Sequence, residues 1–307
     1  MADQDGRTLA GVFPVMATPF DENGALDMAG LGRLVAFELD AGAHGLTILG
    51  NMGEVFKLSE NERATVTAGV MDAVAGRAPV VVGIGPATTH LAAHYARVAQ
   101  AQGADALLVP PPRQPGLSDE ALLHHYTAVA EAVAIPLVVQ DDPSSTGVVM
   151  SPALLASITE VVPPARYIKL EEAPTPLKIG RVRALGARDA GIFGGAGGLY
   201  CLEELDRGAC GIMTGFAYPE ILVQIYMAHR RGDHAEAARI FDHALPLIRF
   251  EAQPAIGLAI RKHLLRLRGA LATAYVRPPA PAIDGATVEE LRAIVQRLGL
   301  PLDGPNR

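Results

Sequence analysis

Short apolar runs alternate with longer amphipathic segments along this chain, and the alternation repeats eight times. The runs are Gly11–Met16, Gly45–Leu49, Pro79–Gly83, Ala106–Val109, Pro136–Val139, Tyr167–Lys169, Gly191–Phe193 and Gly211–Thr214. Each is about the length of a barrel strand. The segments between them carry helix starts: Ser59-Glu60-Asn61-Glu62 has capping-box spacing, Ser118 precedes Asp119 and Glu120, and Ser151-Pro152 puts proline at the first helical position. Helix ends follow at Ala41-Gly42, Ala75-Gly76 and Gln102-Gly103, where glycine fits just past the last turn. Near-continuous apolar strands alternating with helices predict an α/β fold with a parallel sheet covered by helices, and eight such units close a (β/α)8 TIM barrel. A doubly wound open sheet would place a glycine-rich loop after its first strand, and Val15-Met16-Ala17-Thr18-Pro19-Phe20 is not one.

Beyond the eighth run the pattern changes. Pro219–Arg231, Asp233–Phe250, Ala255–Leu267 and Thr287–Leu298 read as helices without intervening strands. The first completes a barrel domain over residues 1–232, and the other three form a C-terminal helical extension over 233–307. The stretch Arg277-Pro278-Pro279-Ala280-Pro281-Ala282 predicts a stiff extended connector before the last helix. The apolar faces of such an extension must be covered, either on the barrel or between subunits.

Composition narrows the function classes. Half of the 307 residues are hydrophobic, ample for a large core, and 26 basic against 33 acidic residues give a net charge of −7. That charge offers no general attraction to nucleic acid or to an anionic membrane. Cys201 and Cys210 belong to no CxxC pair and are expected as reduced core or surface residues, and His90, His94, His124 and His125 as solvated helix residues, so no metal site is expected. Met1–Arg7 is polar and unlike a signal peptide, no apolar run is long enough to span a membrane, and the expected compartment is the cytoplasm.

One strand needs a chemical explanation. In Tyr167-Ile168-Lys169-Leu170 the aliphatic pair takes one face, and Tyr167 and Lys169 share the other. A lysine in a buried strand pairs with an acid such as Glu171 or Glu172, snorkels to solvent, or is there to react. Catalytic groups of a parallel barrel come from the C-terminal strand ends. Those ends gather Thr18, Gly50-Asn51-Met52-Gly53-Glu54, Pro110–Pro112, Gln140-Asp141-Asp142-Pro143 after the fifth strand, Lys169, Gly194-Gly195 and Thr214-Gly215. Desolvation favours the neutral amine that imine formation with a ketone requires, and the glycine-flanked loop 50–54 can turn backbone N–H groups toward a carboxylate. A ketone beside a carboxylate is a 2-oxo acid. Alone, the loop is equally an ordinary tight turn.

Taken in order, Ala17-Thr18-Pro19-Phe20, Gly50–Glu54, Leu58-Ser59-Glu60-Asn61-Glu62-Arg63, Ile135-Pro136 and Ile168-Lys169 resemble the dihydrodipicolinate synthase/N-acetylneuraminate lyase family of class I, Schiff-base-forming barrel enzymes, over essentially the whole chain. The resemblance implies Lys169 as the imine-forming nucleophile, residues 51 and 52 as the carboxylate pocket, no cofactor, a small 2-oxo acid as partner and a homo-oligomer, either a tetramer or a dimer of dimers. Thr18, Gly194 and Thr214 join Asn51 and Met52 as expected substrate contacts.

The departures bear on substrate. Typical members carry Tyr-Asn-x-Pro at the end of strand five, where the phenol shuttles protons; this chain has Gln140-Asp141-Asp142-Pro143, and an amide only hydrogen-bonds. The second tyrosine falls at Pro111 or Pro112, and an arginine that binds the second substrate of dihydrodipicolinate synthases falls near Ser145. Gln-Asp-x-Pro, with Gly45–Leu49 and Asn51, Lys169-Leu170-Glu171 and Met213-Thr214-Gly215, resembles the 2-keto-3-deoxy-L-arabonate dehydratase branch. That branch implies β-elimination of water through a Lys169 imine, with Gln140 in the catalytic set. Glu54, Asp141, Asp142, Glu171 or a water held by Gln140 or Asn51 are candidates for acid and base. A pyruvate-releasing aldolase or a synthase of the same family, and a non-catalytic binding barrel, are the competing readings.

Overall fold

The computed structural model describes residues 9–85 and 87–305; the Met1–Arg7 segment lies outside them. Eight strands, β1 (Gly11–Val12), β2 (Leu46–Ile48), β3 (Val80–Gly83), β4 (Ala106–Val109), β5 (Leu137–Asp141), β6 (Tyr167–Leu170), β7 (Gly191–Gly194) and β8 (Gly211–Ile212), pair in parallel in the order β1-β8-β7-β6-β5-β4-β3-β2. A further parallel bridge, Val15 to Thr47, joins the two ends and closes the barrel. The inner face is filled by Phe13, Val15, Val81, Ala106, Leu108, Val138, Tyr167, Phe193 and Met213, with Leu9 among them. At its floor the Leu9 N–H donates to the Tyr167 hydroxyl at 3.1 Å, and the Phe13 and Phe193 rings meet edge-on at 5.3 Å.

The outer ring runs α1 (Met28–Asp40), α2 (Glu60–Val74), α3 (Thr89–Ala101), α4 (Asp119–Glu131), the short α5 (Pro143–Thr146), α6 (Pro152–Val161), α7 (Thr175–Ala184), α8 (Cys201–Asp206) and α9 (Pro219–Arg230). The capping box at Ser59 is fully formed, and Ser118 and Ser151 cap α4 and α6 through their hydroxyls. The α2 end differs by one residue from expectation: Ala75, before Gly76, already takes the left-handed conformation at φ 49°. His125 also departs from its expected exposure. It is buried between α3 and α4, with Nδ1 3.0 Å from the Thr89 hydroxyl, and burial lowers its pKa to about 4. His94 pairs with Glu60 at 2.7 Å.

The chain leaves the barrel in the turn between α9 and α10 (His234–Glu251), and continues through α11 (Gly257–Leu267) and α12 (Gly285–Arg297). Phe241, Leu247, Ile248, Ile260, Leu264 and Leu291 from these helices join the same continuous core as the barrel's outer face. Their apolar faces are therefore covered on the barrel. The proline-rich connector is laced to mouth-side loops through Arg277, whose side chain donates to the carbonyls of Gly24 and Lys57 and pairs with Glu62. Cys201 and Cys210 are free thiols. Among the described residues, no helix is long and apolar enough to cross a membrane.

Candidate active site

Gln140 of β5 stands opposite Lys169 of β6 in the strand ladder, so the pleat turns both side chains into the barrel above Tyr167 and Val138. Lys169 is buried, and its Nζ lies 2.9 Å from Glu171 Oε2. That same oxygen accepts from Gln140 Nε2 at 2.9 Å. Of the alternatives left open in the sequence, pairing with an acid is met: the amine has Glu171 beside it, at the end of the barrel where parallel barrels place their chemistry. Burial raises the Glu171 carboxyl above its ordinary pKa, with Asp142 adding to the rise, while Lys169 and the Gln140 hydrogen bond oppose it. Glycine at 195 makes this possible, because a Cβ there would run into the Glu171 side chain.

The segment after β2 forms a 3-10 turn, Asn51–Gly53, that ends on Glu54 at φ 55°, and a second, Val55–Lys57, follows it. Asn51 Nδ2 donates to Asp142 Oδ2 at 2.7 Å, and Ser144 Oγ donates to the other oxygen at 2.5 Å, so Asp142 orients Asn51 across the mouth. Met52 is half-buried against the inner-face cluster. Thr18 is buried, and its hydroxyl donates to the Gly53 carbonyl at 2.6 Å, which commits its proton to shaping the loop. At the rim, Arg113 lies 5.0 Å over the Phe56 ring and donates through Nε to the Ser145 carbonyl at 2.9 Å.

Several expectations change. β5 runs through Asp141, so Gln140 and Asp141 belong to the strand itself and only Asp142 follows it. Strand alternation then turns Asp141 outward, away from Lys169 and onto Lys178 of α7 at 2.6 Å; burial raises its pKa to about 6. It is not placed to act on a molecule held by Lys169. Glu54 is likewise unsuited as a base: Lys262 donates to one oxygen at 2.6 Å, and Lys57 (2.8 Å) and the Arg277 backbone N–H (3.0 Å) to the other. Gly194 uses its carbonyl to accept from Met213 N at 2.8 Å, and a Cβ on it would strike the Glu204 carboxylate behind β7. Its neighbour Gly195 is the glycine that clears space at Glu171. Thr214 is buried beside β8, its carbonyl accepting from Val15 N at 3.1 Å.

Two groups went unnoticed in the sequence. Glu204 is buried on α8, where it accepts from Thr175 Oγ1 at 2.5 Å; burial, with the Glu171 charge adding, raises its pKa to about 7. Lys262 reaches the mouth from α11. An acid and a lysine within amphipathic helices carry no mark in sequence that separates them from solvated neighbours. Among the described residues, the one group of histidines and acids that could offer three metal ligands is Asp206, His229 and His234. It sits at the ends of α8 and α9 and the start of α10, at the opposite end of the barrel from Lys169.

The comparisons with known proteins agree with the fold. Residues 8–298 match the dihydrodipicolinate synthetase family. An L-2-keto-3-deoxyarabonate dehydratase of Azospirillum brasilense is 35% identical over 293 residues, 94% of each chain. A 4-hydroxy-tetrahydrodipicolinate synthase of Ruegeria pomeroyi is 31% identical, covering 94% of this chain and 99% of that one. Among solved structures, a dihydrodipicolinate synthase from Rhodopseudomonas palustris superposes with a TM-score of 0.88 at 32% identity, covering 94% of this chain and 97% of that one. A prophage protein of E. coli K12, solved in complex with pyruvate, gives 0.89 at 25%, covering 96% and 100%. With a buried strand-borne lysine at the mouth of an eight-stranded parallel barrel and a match that runs nearly end to end, this chain belongs to the dihydrodipicolinate synthetase family of Schiff-base lyases.

Proposed function

We propose that the protein is a hydro-lyase that removes water from a 2-keto-3-deoxy sugar acid, with Lys169 as the imine-forming nucleophile and Glu171 as the group that moves protons. The single observation that carries this reading is the Glu171 carboxylate 2.9 Å from Lys169 Nζ and held by Gln140, at a mouth with no tyrosine on β5. The similarity to the Azospirillum brasilense dehydratase supports the choice of substrate class.

In this scheme Glu171 takes a proton from Lys169, the free amine adds to C2 of the ketone, and Glu171 returns that proton to the oxygen as it leaves as water, which gives the protonated imine and restores the carboxylate. The protonated imine acidifies C3, because it accepts the electron pair as an enamine. Glu171, with its basicity raised by burial, removes the C3 proton and returns one to the C4 hydroxyl as that bond breaks. For a pentonate, loss of a C5 proton gives an enol that becomes an aldehyde, and hydrolysis of the imine frees a 2-oxo acid semialdehyde and the lysine. The product is the substrate less one water. Gln140 has no proton to exchange in this range and serves to hold Glu171. The turn 51–53, with Asn51 oriented by Asp142, receives the substrate carboxylate; Met52 and Thr214 wall the space, and Thr18 shapes the loop.

The chemistry belongs to the barrel, residues 1–232, in a cytoplasmic homo-oligomer. Borohydride reduction with pyruvate and, separately, with 2-keto-3-deoxy pentonates and hexonates tests the reading. A reduced adduct on Lys169, with semialdehyde and no pyruvate released, is expected. Release of pyruvate and an aldehyde would make the enzyme an aldolase. Absence of an adduct with every compound would leave the binding-barrel alternative.

A further inference from the structure

Lys262 takes no part in this chemistry, yet at 1% exposure it is the least exposed lysine or arginine among the described residues. It belongs to α11, more than two hundred positions along the chain from the loop it touches. Its Nζ donates to Glu54 Oε1 at 2.6 Å, to the Thr18 carbonyl at 2.8 Å and to the Tyr275 carbonyl at 2.8 Å, which uses all three ammonium protons. The ammonium also lies 4.5 Å from the centre of the Phe20 ring.

Two of those acceptors matter more than the rest. Thr18 is the residue whose hydroxyl holds the Gly53 carbonyl, and Glu54 is the loop's last residue, in a left-handed conformation that a side-chain-bearing residue rarely takes. A closed ring results: Thr18 hydroxyl to Gly53, Gly53 to Glu54 along the chain, Glu54 carboxylate to Lys262, and Lys262 back to the Thr18 carbonyl. The connector adds the Arg277 backbone N–H on the second Glu54 oxygen. Besides Asp142, which holds Asn51, and Lys57 three residues on from Glu54, the loop's outside ties come from the end of the first strand and from the C-terminal extension.

We propose that Lys262 is a positioning residue for substrate: from the C-terminal extension it fixes the 50–54 loop in the shape that receives the 2-oxo acid carboxylate, so the extension sets the barrel's substrate affinity. This rests on the reading that the loop binds that carboxylate. Lys169, Glu171 and Gln140 are held by β5 and β6, which Lys262 does not touch, so the effect falls on binding and spares the chemical step.

The test uses the full-length protein and pyruvate as probe. Borohydride trapping on Lys169 is followed by intact mass across a pyruvate titration for the native chain, Lys262→Met and Glu54→Gln, each held well below its own Tm. The half-saturating pyruvate concentration is expected to rise by about tenfold or more in Lys262→Met, with the full adduct still reached at saturation. Where a keto-deoxy acid is turned over, KM should rise in parallel while kcat stays within about threefold. An unchanged half-saturation in a folded variant would reduce Lys262 to a purely structural role, and loss of adduct at saturating pyruvate would place its effect on the chemistry; either overturns the proposal. Should Lys262→Met fail to fold, Glu54→Gln, which keeps the size and an acceptor oxygen, is expected to show the same shift at smaller size, and no shift there overturns it equally. A native chain that forms no adduct sinks the Schiff-base reading and this proposal together, whereas a native adduct with unshifted variants sinks this proposal alone.

Discussion

Lys169 and Lys262 are both buried at the mouth of this barrel, and their surroundings differ in kind. Lys262 spends its three protons on one carboxylate and two carbonyls and rests against Phe20, and burial lowers its pKa to about 8. Lys169 instead meets a carboxylate oxygen that it shares with the Gln140 amide. An ammonium with every donor placed is a fixed joint, since releasing it leaves several buried acceptors without a donor. One facing a shared oxygen of an acid whose proton affinity is raised by burial can give up its proton and leave that acid still hydrogen-bonded. On the proposed mechanism, the reactive lysine is therefore marked by the replaceability of its partners and not by burial alone.

The comparison breaks most visibly at Lys169. Lys169→Ala should lower turnover by about 10³-fold or more and abolish borohydride trapping, whereas trapping at saturation survives in Lys262→Met. Stability should show the opposite order. Chemical denaturation is expected to find Lys262→Met destabilised by about 3–5 kcal/mol, because Glu54 is left as a buried charge without its main partner, and Lys169→Met by about 1 kcal/mol or less, because Glu171 can take up a proton and keep Gln140. Comparable losses for the two would remove the distinction.

Glu171→Gln sharpens the contrast from the acid's side: it keeps the shape and should lower kcat by about 10²–10³-fold while pyruvate still forms an adduct, and an unaffected kcat would take the proton-moving role away from Glu171. A last effect is a pH slope. Glu204 has its carboxyl pKa raised from 4.5 to about 7, so the folded state binds a proton that the unfolded state has lost. Its contribution is fully present below about pH 4.5 and is lost as pH rises through about 7, about 3 kcal/mol in all. Glu204→Gln mimics the protonated acid, so denaturation midpoints of the variant and the native chain should coincide near pH 4.5 and diverge in favour of the variant by pH 8.

The barrel was legible because the strands bury both faces and several helix starts carry a local signal, as at Ser59, Ser118 and Ser151. Lys169 was legible for the opposite reason, as a charge in a strand otherwise built for burial. Partners distant in sequence were not. Glu54 reads as a candidate base until Lys262 and Arg277 occupy it, and Lys262 sits between Arg261 and His263 in what reads as an ordinary polar helix face. Asp141 fell on the wrong side because ending a strand one or two residues early hides which way the next side chain points. His125 was misjudged on residue type, since its burial depends on Thr89 in a neighbouring helix.

The ladder pairing of Gln140 with Lys169 has a consequence for how such enzymes diversify. Backbone hydrogen bonds hold that register and take no account of which side chain position 140 carries. A substitution there replaces the side chain beside Lys169 while the strand ladder that positions Lys169 is unchanged. On the proposed mechanism, position 140 is thus a place where the chemistry at the mouth can be altered without changing the register that sets Lys169 in place.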